Sequence, residues 1–523
     1  MSHKITAAGA LSILGRMLAT LALLVYVGYL ALYAAHAVNL FRWPYDYDQG
    51  EGFELYDAVL YRQGVWPYRD NAVYPYYASN YPPLFHLLVV PLLPLVGVVP
   101  AAGRLVSFTA TLVTACVLGF IVRREVRGWF TPVLAGLSYL ASNYVYQIGP
   151  LCRMHATMVM FEALAIFFLA RFERRRNLVW GLLMLLCAGY TKQMAVFTVA
   201  ATLGYVFLRD VKTALSAGSV LALVAGAIFW SLNVATDGQW WVNVIQANVN
   251  EIDYLMTLSL FRQWFRLHPI LVVVSLVYGI YELYWDRLSI YTLWFFFSLG
   301  MGALSGKWGA GPGYFLTAVA ASCVAVGLAL GRLRSALVRR IQHAWVKPVL
   351  SGAVAVFYLA QAGFTLHLPT EGPVVKPLAQ VLGVAHRPMQ LACRAYAYYD
   401  SIGYTQVGHD PTAADYAAGE AIMAYVRAAE GPVLGEEAMF SLLAEKPVVT
   451  NPTQLRNLYE NGLLDVEDLM LRIYREEFDL IILRAQFYPQ PVLGAIGFTY
   501  KLVDSVCLNG FTYQILQPPR LRE

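Results

Sequence analysis

The stretch YDYDQGEG, Tyr45–Gly52, places Asp46, Asp48 and Glu51 within six residues, directly after the first long apolar run. A carboxylate beside a bound molecule can act as a general base, taking a proton from an incoming hydroxyl or amine. Asp48 and Glu51 are three apart, so on a helix beginning near Gly50 both could point into one cavity. The alternative is a solvated loop whose acids pair with Arg42, Arg62 or Arg69. Further polar residues sit at the ends of apolar runs: Arg153 and His155 in GPLCRMH, Lys192 and Gln193 in YTKQ, and Lys307 in SGKWGAGPGY. Lys192 stands between two apolar legs, where a charge is costly and marks a site. A lysine reaching back to the membrane interface is the plainer alternative. A lone histidine at a helix end, such as His155, is often satisfied locally.

The elements that must hold these residues are membrane helices. Of 523 residues 58% are hydrophobic and only 14% charged, against about a quarter charged in soluble domains. Residues 1–366 carry 26 Lys/Arg and 15 Asp/Glu, whereas 367–523 carry 12 and 18. That division predicts a basic membrane part, 1–366, followed by an acidic soluble α/β domain, 367–523. Putting every basic cluster on the cytoplasmic side gives eleven spans, near 12–35, 104–122, 129–148, 153–171, 178–190, 191–208, 213–232, 269–284, 289–304, 313–331 and 348–366. The N-terminus is then cytoplasmic and the terminal domain extracytoplasmic, in a multi-pass protein of the plasma membrane. The segment Leu11–Ala35 is too long for a cleavable signal core and is expected to remain as an anchor. The proline-rich run Pro82–Gly97 must not cross, or the charge pattern inverts. It is expected to lie along the outer interface, within a long first outer loop, 36–103.

With this threading the short polar motifs all face one side, where polar groups beside an apolar core mark a site. The outer loops also carry Trp240, Trp241, Tyr254, Trp264 and Trp308, whose faces could stack on a bound molecule or form an interfacial belt. In the terminal domain, PVLGEEAMFSLLAEKPVVTN reads as strand, short helix, strand. DLIILRA reads as a strand, and YKLVDSV and FTYQILQ as a hairpin turning at Asn509-Gly510. No catalytic motif occurs there, and the plain expectation is a cap over the membrane part. Cys393 and Cys507 could pair in an oxidising compartment, and no cysteine–histidine pattern suggests zinc. Nucleic acid is not an expected partner.

YDYDQGEGFELYDAVLYRQGVWPYR followed by NYPPLFHLLVVPLL resembles the first outer loop of GT-C fold membrane glycosyltransferases. Within that superfamily it is similar to the protein O-mannosyltransferase (glycosyltransferase family 39) and aminoarabinose transferase group. GRLVSFTATLVTACVLGFIVRR, CRMHATMVMFEALAIFF, AGYTKQMAVF, GKWGAGPGYFL and GPVLGEEAMFSLLAEKPVV continue the resemblance in order. It implies transfer of a sugar from a polyprenyl-phosphate donor, at the outer membrane face, with inversion at the anomeric carbon. Asp48 then matches the base and Glu51 its partner or substitute, with Asp46 a solvated neighbour. A phosphate leaving group calls for fixed cations, for which Lys192, Arg153 and Lys307 are the candidates. His155, Gln193, Tyr81, Tyr314 and Trp241 are expected against the substrate. The acceptor, whether lipid, polysaccharide or protein, is left open, and two acids near a phosphate are compatible with a divalent metal without requiring one. Two departures stand out. Relatives with this pattern often carry an acid at the position of His155, and NYFLE where this chain reads GYFLT, Gly313 to Thr317. Glu162, the one acid deep within a span, needs a partner. The alternatives to a transferase are a lipid or sugar transporter or flippase, for which no internal repeat is visible, and a catalytically degenerate scaffold.

Overall fold

The computed structural model, which describes residues 6–341, 343–365, 377, 380, 381, 393 and 410–521, has helix in each of the eleven segments expected to cross, with 129–148 broken at Ala141–Ser142 into Phe130–Leu140 and Asn143–Ile148. Ala7–Arg42, Ala101–Glu125, Val211–Ala235, Pro312–Arg340 and Val346–Thr365 are each long and apolar enough to cross a bilayer. Shorter apolar helices, Phe130–Leu140, His155–Leu169, Gln193–Phe207 and Ile290–Ala303, pack among them. The chain is a polytopic helical membrane protein with a small C-terminal sheet domain.

Breaks in the helices occur where the sequence demands them. Tyr254–Leu267 and Pro269–Trp285 meet at 96°, because a residue before proline is pushed out of helical geometry and His268 adopts φ −130°, ψ 37°. Pro82–Gly97 folds as Leu84–Val89, a tight turn and Leu93–Val96. At about 1.5 Å per residue that run covers roughly 20 Å, short of the roughly 30 Å of a hydrocarbon core. Between Arg175–Thr191 and Val196–Phe207 the chain turns at Lys192, whose backbone is extended.

Pro312–Arg340 is the central helix and is almost wholly enclosed. The first and last membrane helices cross at a pair of glycines. A Cβ on Gly15 would lie 2.3 Å from the Pro348 carbonyl oxygen, and one on Gly352 would lie 2.7 Å from Gly15 Cα. Small residues of this kind let membrane helices approach closely.

The soluble domain holds a four-stranded sheet in the order β1 (Val433–Gly435), β2 (Leu480–Leu483), β4 (Phe511–Gln517), β3 (Lys501–Leu508). The β1–β2 pair is parallel and the other two pairs are antiparallel. The expected hairpin is present, with Asn509 and Gly510 both at positive φ, the geometry that matches strand twist. Cys393 and Cys507 are disulfide-bonded. The expected second strand at PVVTN does not form. Thr450 instead makes an isolated parallel bridge with Tyr76 of the first outer loop, so this segment ties the two halves together. The boundary expected at 366/367 lies outside the described residues.

Candidate functional site

Asp48 lies where the chain leaves the first helix and before it enters the helix Glu51–Arg62. It is only 2% exposed. Arg153 Nε donates to Asp48 Oδ2 at 2.5 Å, and Arg153 Nη1 donates to Glu54 Oε1 at 3.1 Å. The guanidinium lies flat on Gly50, where any Cβ would come within 2.2 Å of it. Glycine is what allows this close approach. Arg153, expected on the donor phosphate, is thus already committed to two carboxylates.

Glu51 does not share a cavity with Asp48. It is fully buried and points the other way, receiving Arg104 Nε at 2.9 Å, Arg104 Nη2 at 2.7 Å and the Cys152 amide at 2.7 Å. Burial alone raises a carboxyl, but Arg104 and these amides overcome it and hold Glu51 below its ordinary range. Arg104 also donates to the carbonyls of Leu40, Trp43 and Tyr45 at 2.5, 2.6 and 3.0 Å. The pair staples the loop onto the helix Ala101–Glu125. Asp46 is not solvated either. It is buried and accepts from the Gly52 amide at 2.5 Å and from the Met439 amide of the soluble domain at 3.1 Å.

The cations expected near a phosphate converge. Lys192, 3% exposed, donates to His155 Nε2 at 2.6 Å and lies 5.2 and 5.0 Å from the ring centroids of Tyr81 and Tyr314. An ammonium can donate to an imidazole nitrogen only if that nitrogen carries no proton. With an ammonium partner, His155 Nε2 is the acceptor and its ring is neutral. Lys307 Nζ donates to the Asn248 carbonyl at 2.6 Å.

These residues line two neighbouring pockets, the two lobes of the site. The larger, about 190 Å³, is lined by Lys192, Gln193, Lys307 and Trp308, with Thr453 and Asn457 from the soluble domain. The smaller is lined by Asp48, Arg153 and His155. Tyr81, Gly309 and Tyr314 are walls of both. Gln193 is held by its amide on the Val244 carbonyl at 2.9 Å. Trp241 is the expected contact that is missing: it is 45% exposed, packs against Phe229 and does not line the cavity. Trp240 and Trp264 are buried in packing.

The two departures are accommodated. Gly313 leaves room for the His155 ring, to which a Cβ would come within 3.0 Å. Thr317 donates to Glu162 Oε2 at 2.6 Å and Thr198 to Oε1 at 2.8 Å, so the deep acid has its partners.

The helix Glu51–Arg62 brings in further acids at three-residue intervals, a periodicity that was available in the sequence. His86 Nε2 lies 2.7 Å from Glu54 Oε2 and 3.5 Å from Asp57 Oδ2, and Tyr77 donates to Asp57 at 2.7 Å. Glu54, Asp57 and His86 have ligand atoms close enough to surround one metal ion. Their protonation argues otherwise. Burial lowers an imidazole, but Asp57 and Glu54 reverse that and raise His86, and burial pushes Asp57 up to about 7. Arg153 already holds the far oxygen of Glu54. Around Asp48 the same guanidinium fills the space between the two carboxylates. The residues present suit a buried ion-pair network and do not fit a divalent metal.

No family model and no curated protein matches the sequence. Among solved structures the chain is similar to ArnT from Cupriavidus metallidurans in the apo state, with 14% identity and a TM-score of 0.55 over 94% of this chain and 98% of that one. It is similar also to ArnT from the same organism bound to undecaprenyl phosphate, with 14% identity and a TM-score of 0.54 over 93% and 98%. The likeness runs through both the membrane part and the soluble domain, and the fold is GT-C.

Proposed function

We propose that this chain is an inverting glycosyltransferase that moves a sugar from a polyprenyl-phosphate donor to an acceptor at the outer face of the membrane. The observation that carries this reading is a pair of neighbouring pockets sharing Tyr81, Gly309 and Tyr314 as walls, with an acid, Asp48, on one and two cations, Lys192 and Lys307, on the other. A protein of the same fold holds undecaprenyl phosphate. The Cys393–Cys507 disulfide supports an extracytoplasmic soluble domain, because such bonds persist in oxidising compartments.

In this reaction Asp48 takes the proton of an acceptor hydroxyl or amine. The freed electron pair attacks the anomeric carbon opposite the phosphate, and the carbon–oxygen bond to phosphate breaks with its electrons on the leaving oxygen. Configuration inverts. Charge gathers on the phosphate as that bond lengthens, so Lys192 and Lys307, fixed beforehand, bind the transition state better than the ground state. Arg153 holds Asp48 in position. Among the described residues nothing favours the transport alternative, since Glu162 is closed off by two threonines rather than facing a pathway.

Purified protein given a panel of polyprenyl-phosphate sugars is expected to transfer or slowly hydrolyse at least one. Absence of turnover and of lipid-phosphate binding across the panel sinks the reading. Lys192→Ala should weaken donor use by roughly a hundredfold, as loss of one fixed donor to a developing anion does. Unchanged donor affinity and turnover in that variant would remove Lys192 from the phosphate site. Burial pushes the Lys307 ammonium down to about 8. Phosphate binds the protonated form, so donor affinity should hold below that pH and decline as pH rises through it. Lys307→Arg stays charged and should flatten the decline, which donor titrations from neutral to alkaline pH will read.

A further inference from the structure

The two neighbouring pockets share three wall residues, Tyr81, Gly309 and Tyr314. Inverting transfer needs the sugar between the acid that activates the acceptor and the cations that receive the phosphate. The boundary between the Asp48 pocket and the pocket of Lys192 and Lys307 is therefore the place for the sugar ring. Two of the shared residues are phenols drawn to one charge. Lys192 Nζ lies 5.2 and 5.0 Å from the ring centroids of Tyr81 and Tyr314, within reach of cation–π attraction. The third shared residue has no side chain.

Gly309 sits in a turn that its neighbours brace. The Ala310 amide donates to the Lys307 carbonyl at 2.9 Å, which puts Gly309 at the second of the two central positions. Its φ of 78° is the geometry that calls for glycine there. Trp308, the other central residue, is fixed through both backbone groups. Its amide donates to the Glu251 carbonyl at 3.2 Å, and its carbonyl accepts from the Asn250 side-chain amide at 3.0 Å. The turn opens with Lys307, so one braced piece of backbone carries a phosphate cation and the wall beside the sugar. A Cβ added to Gly309 would meet no protein atom within 4 Å. The space it would fill is open volume at the shared edge, not packed protein. Resting on the sugar-transfer reading above, we propose that Gly309 is a specificity-determining residue, its missing side chain leaving the room in which the donor sugar lies between phosphate and base.

The test uses full-length protein with two ligands, bare undecaprenyl phosphate and the sugar-loaded donor that wild type transfers fastest. Gly309→Ala should lower kcat/KM for the loaded donor by about tenfold, the usual effect of one misfitting carbon, while affinity for the bare lipid phosphate stays as in wild type. Alanine at positive φ is strained as well as larger, so Gly309→Asn separates the two effects. Asparagine tolerates a left-handed backbone better than alanine does but fills more space. If space decides, Gly309→Asn loses more kcat/KM than Gly309→Ala although it is the less strained. A milder loss with asparagine than with alanine, a parallel loss of bare lipid-phosphate affinity, or unchanged kcat/KM in both variants overturns the proposal and leaves the transferase reading intact. A wild type that neither transfers any sugar of the panel nor binds the lipid phosphate defeats both.

Discussion

Asp48→Asn is expected to lower turnover by about 10²–10⁴-fold, the usual size of a general-base contribution, in a protein that still inserts and binds donor. The substitution is nearly isosteric. It leaves an acceptor oxygen for Arg153 Nε, and Arg153 keeps its second carboxylate, Glu54. The buried network therefore loses one charge without losing its shape. Donor binding rests on the other lobe, with Lys192 and Lys307, and should change little. The measurement pairs single-turnover transfer with binding of the lipid-phosphate donor. Wild-type turnover would exclude Asp48 as the base. A parallel loss of donor binding would show instead that Asp48 holds the site together.

Glu51→Ala should fail differently, by loss of folded protein. Removing one member of a buried pair leaves the other charge unmatched, at a cost of about 3–5 kcal/mol. Here the stranded group would be Arg104, fully enclosed and bonded to three loop carbonyls. The Cys152 amide would lose its acceptor as well. The expected readout is a lowered unfolding midpoint and poor recovery from the membrane, with residual activity in proportion to the folded fraction. If Glu51→Ala instead folds normally and is inert, its carboxylate takes part in the chemistry and the division of labour drawn between it and Asp48 is wrong.

That division marks the limit of what the sequence discloses. Span positions are legible because length and apolarity are local properties, and the prolines at 91 and 94 disclose a run that cannot cross. The turn at Lys192 and the hairpin at Asn509-Gly510 are local too. The fates of Asp46, Asp48 and Glu51 are not, because identical carboxylates acquire their roles from partners 393, 105 and 53 residues away. The same holds for Glu162, whose threonine partners sit 36 and 155 residues distant. An aromatic on an outer loop, such as Trp241, can face a cavity or the lipid, and composition does not distinguish the two. The placement of Thr453 and Asn457 on the pocket wall is not legible in the sequence for a related reason. A polar residue on an amphipathic helix, Pro452–Glu460, looks like any solvated face until the surface it covers is known.

The clamp on Asp46 bears on how the protein matures. One of its carboxylate oxygens is held by the neighbouring Gly52, but the other waits for an amide encoded near the end of the message. During synthesis the early helices are made long before Met439, so the loop carrying Asp48 is fully fastened only once the C-terminal domain has been made and has folded.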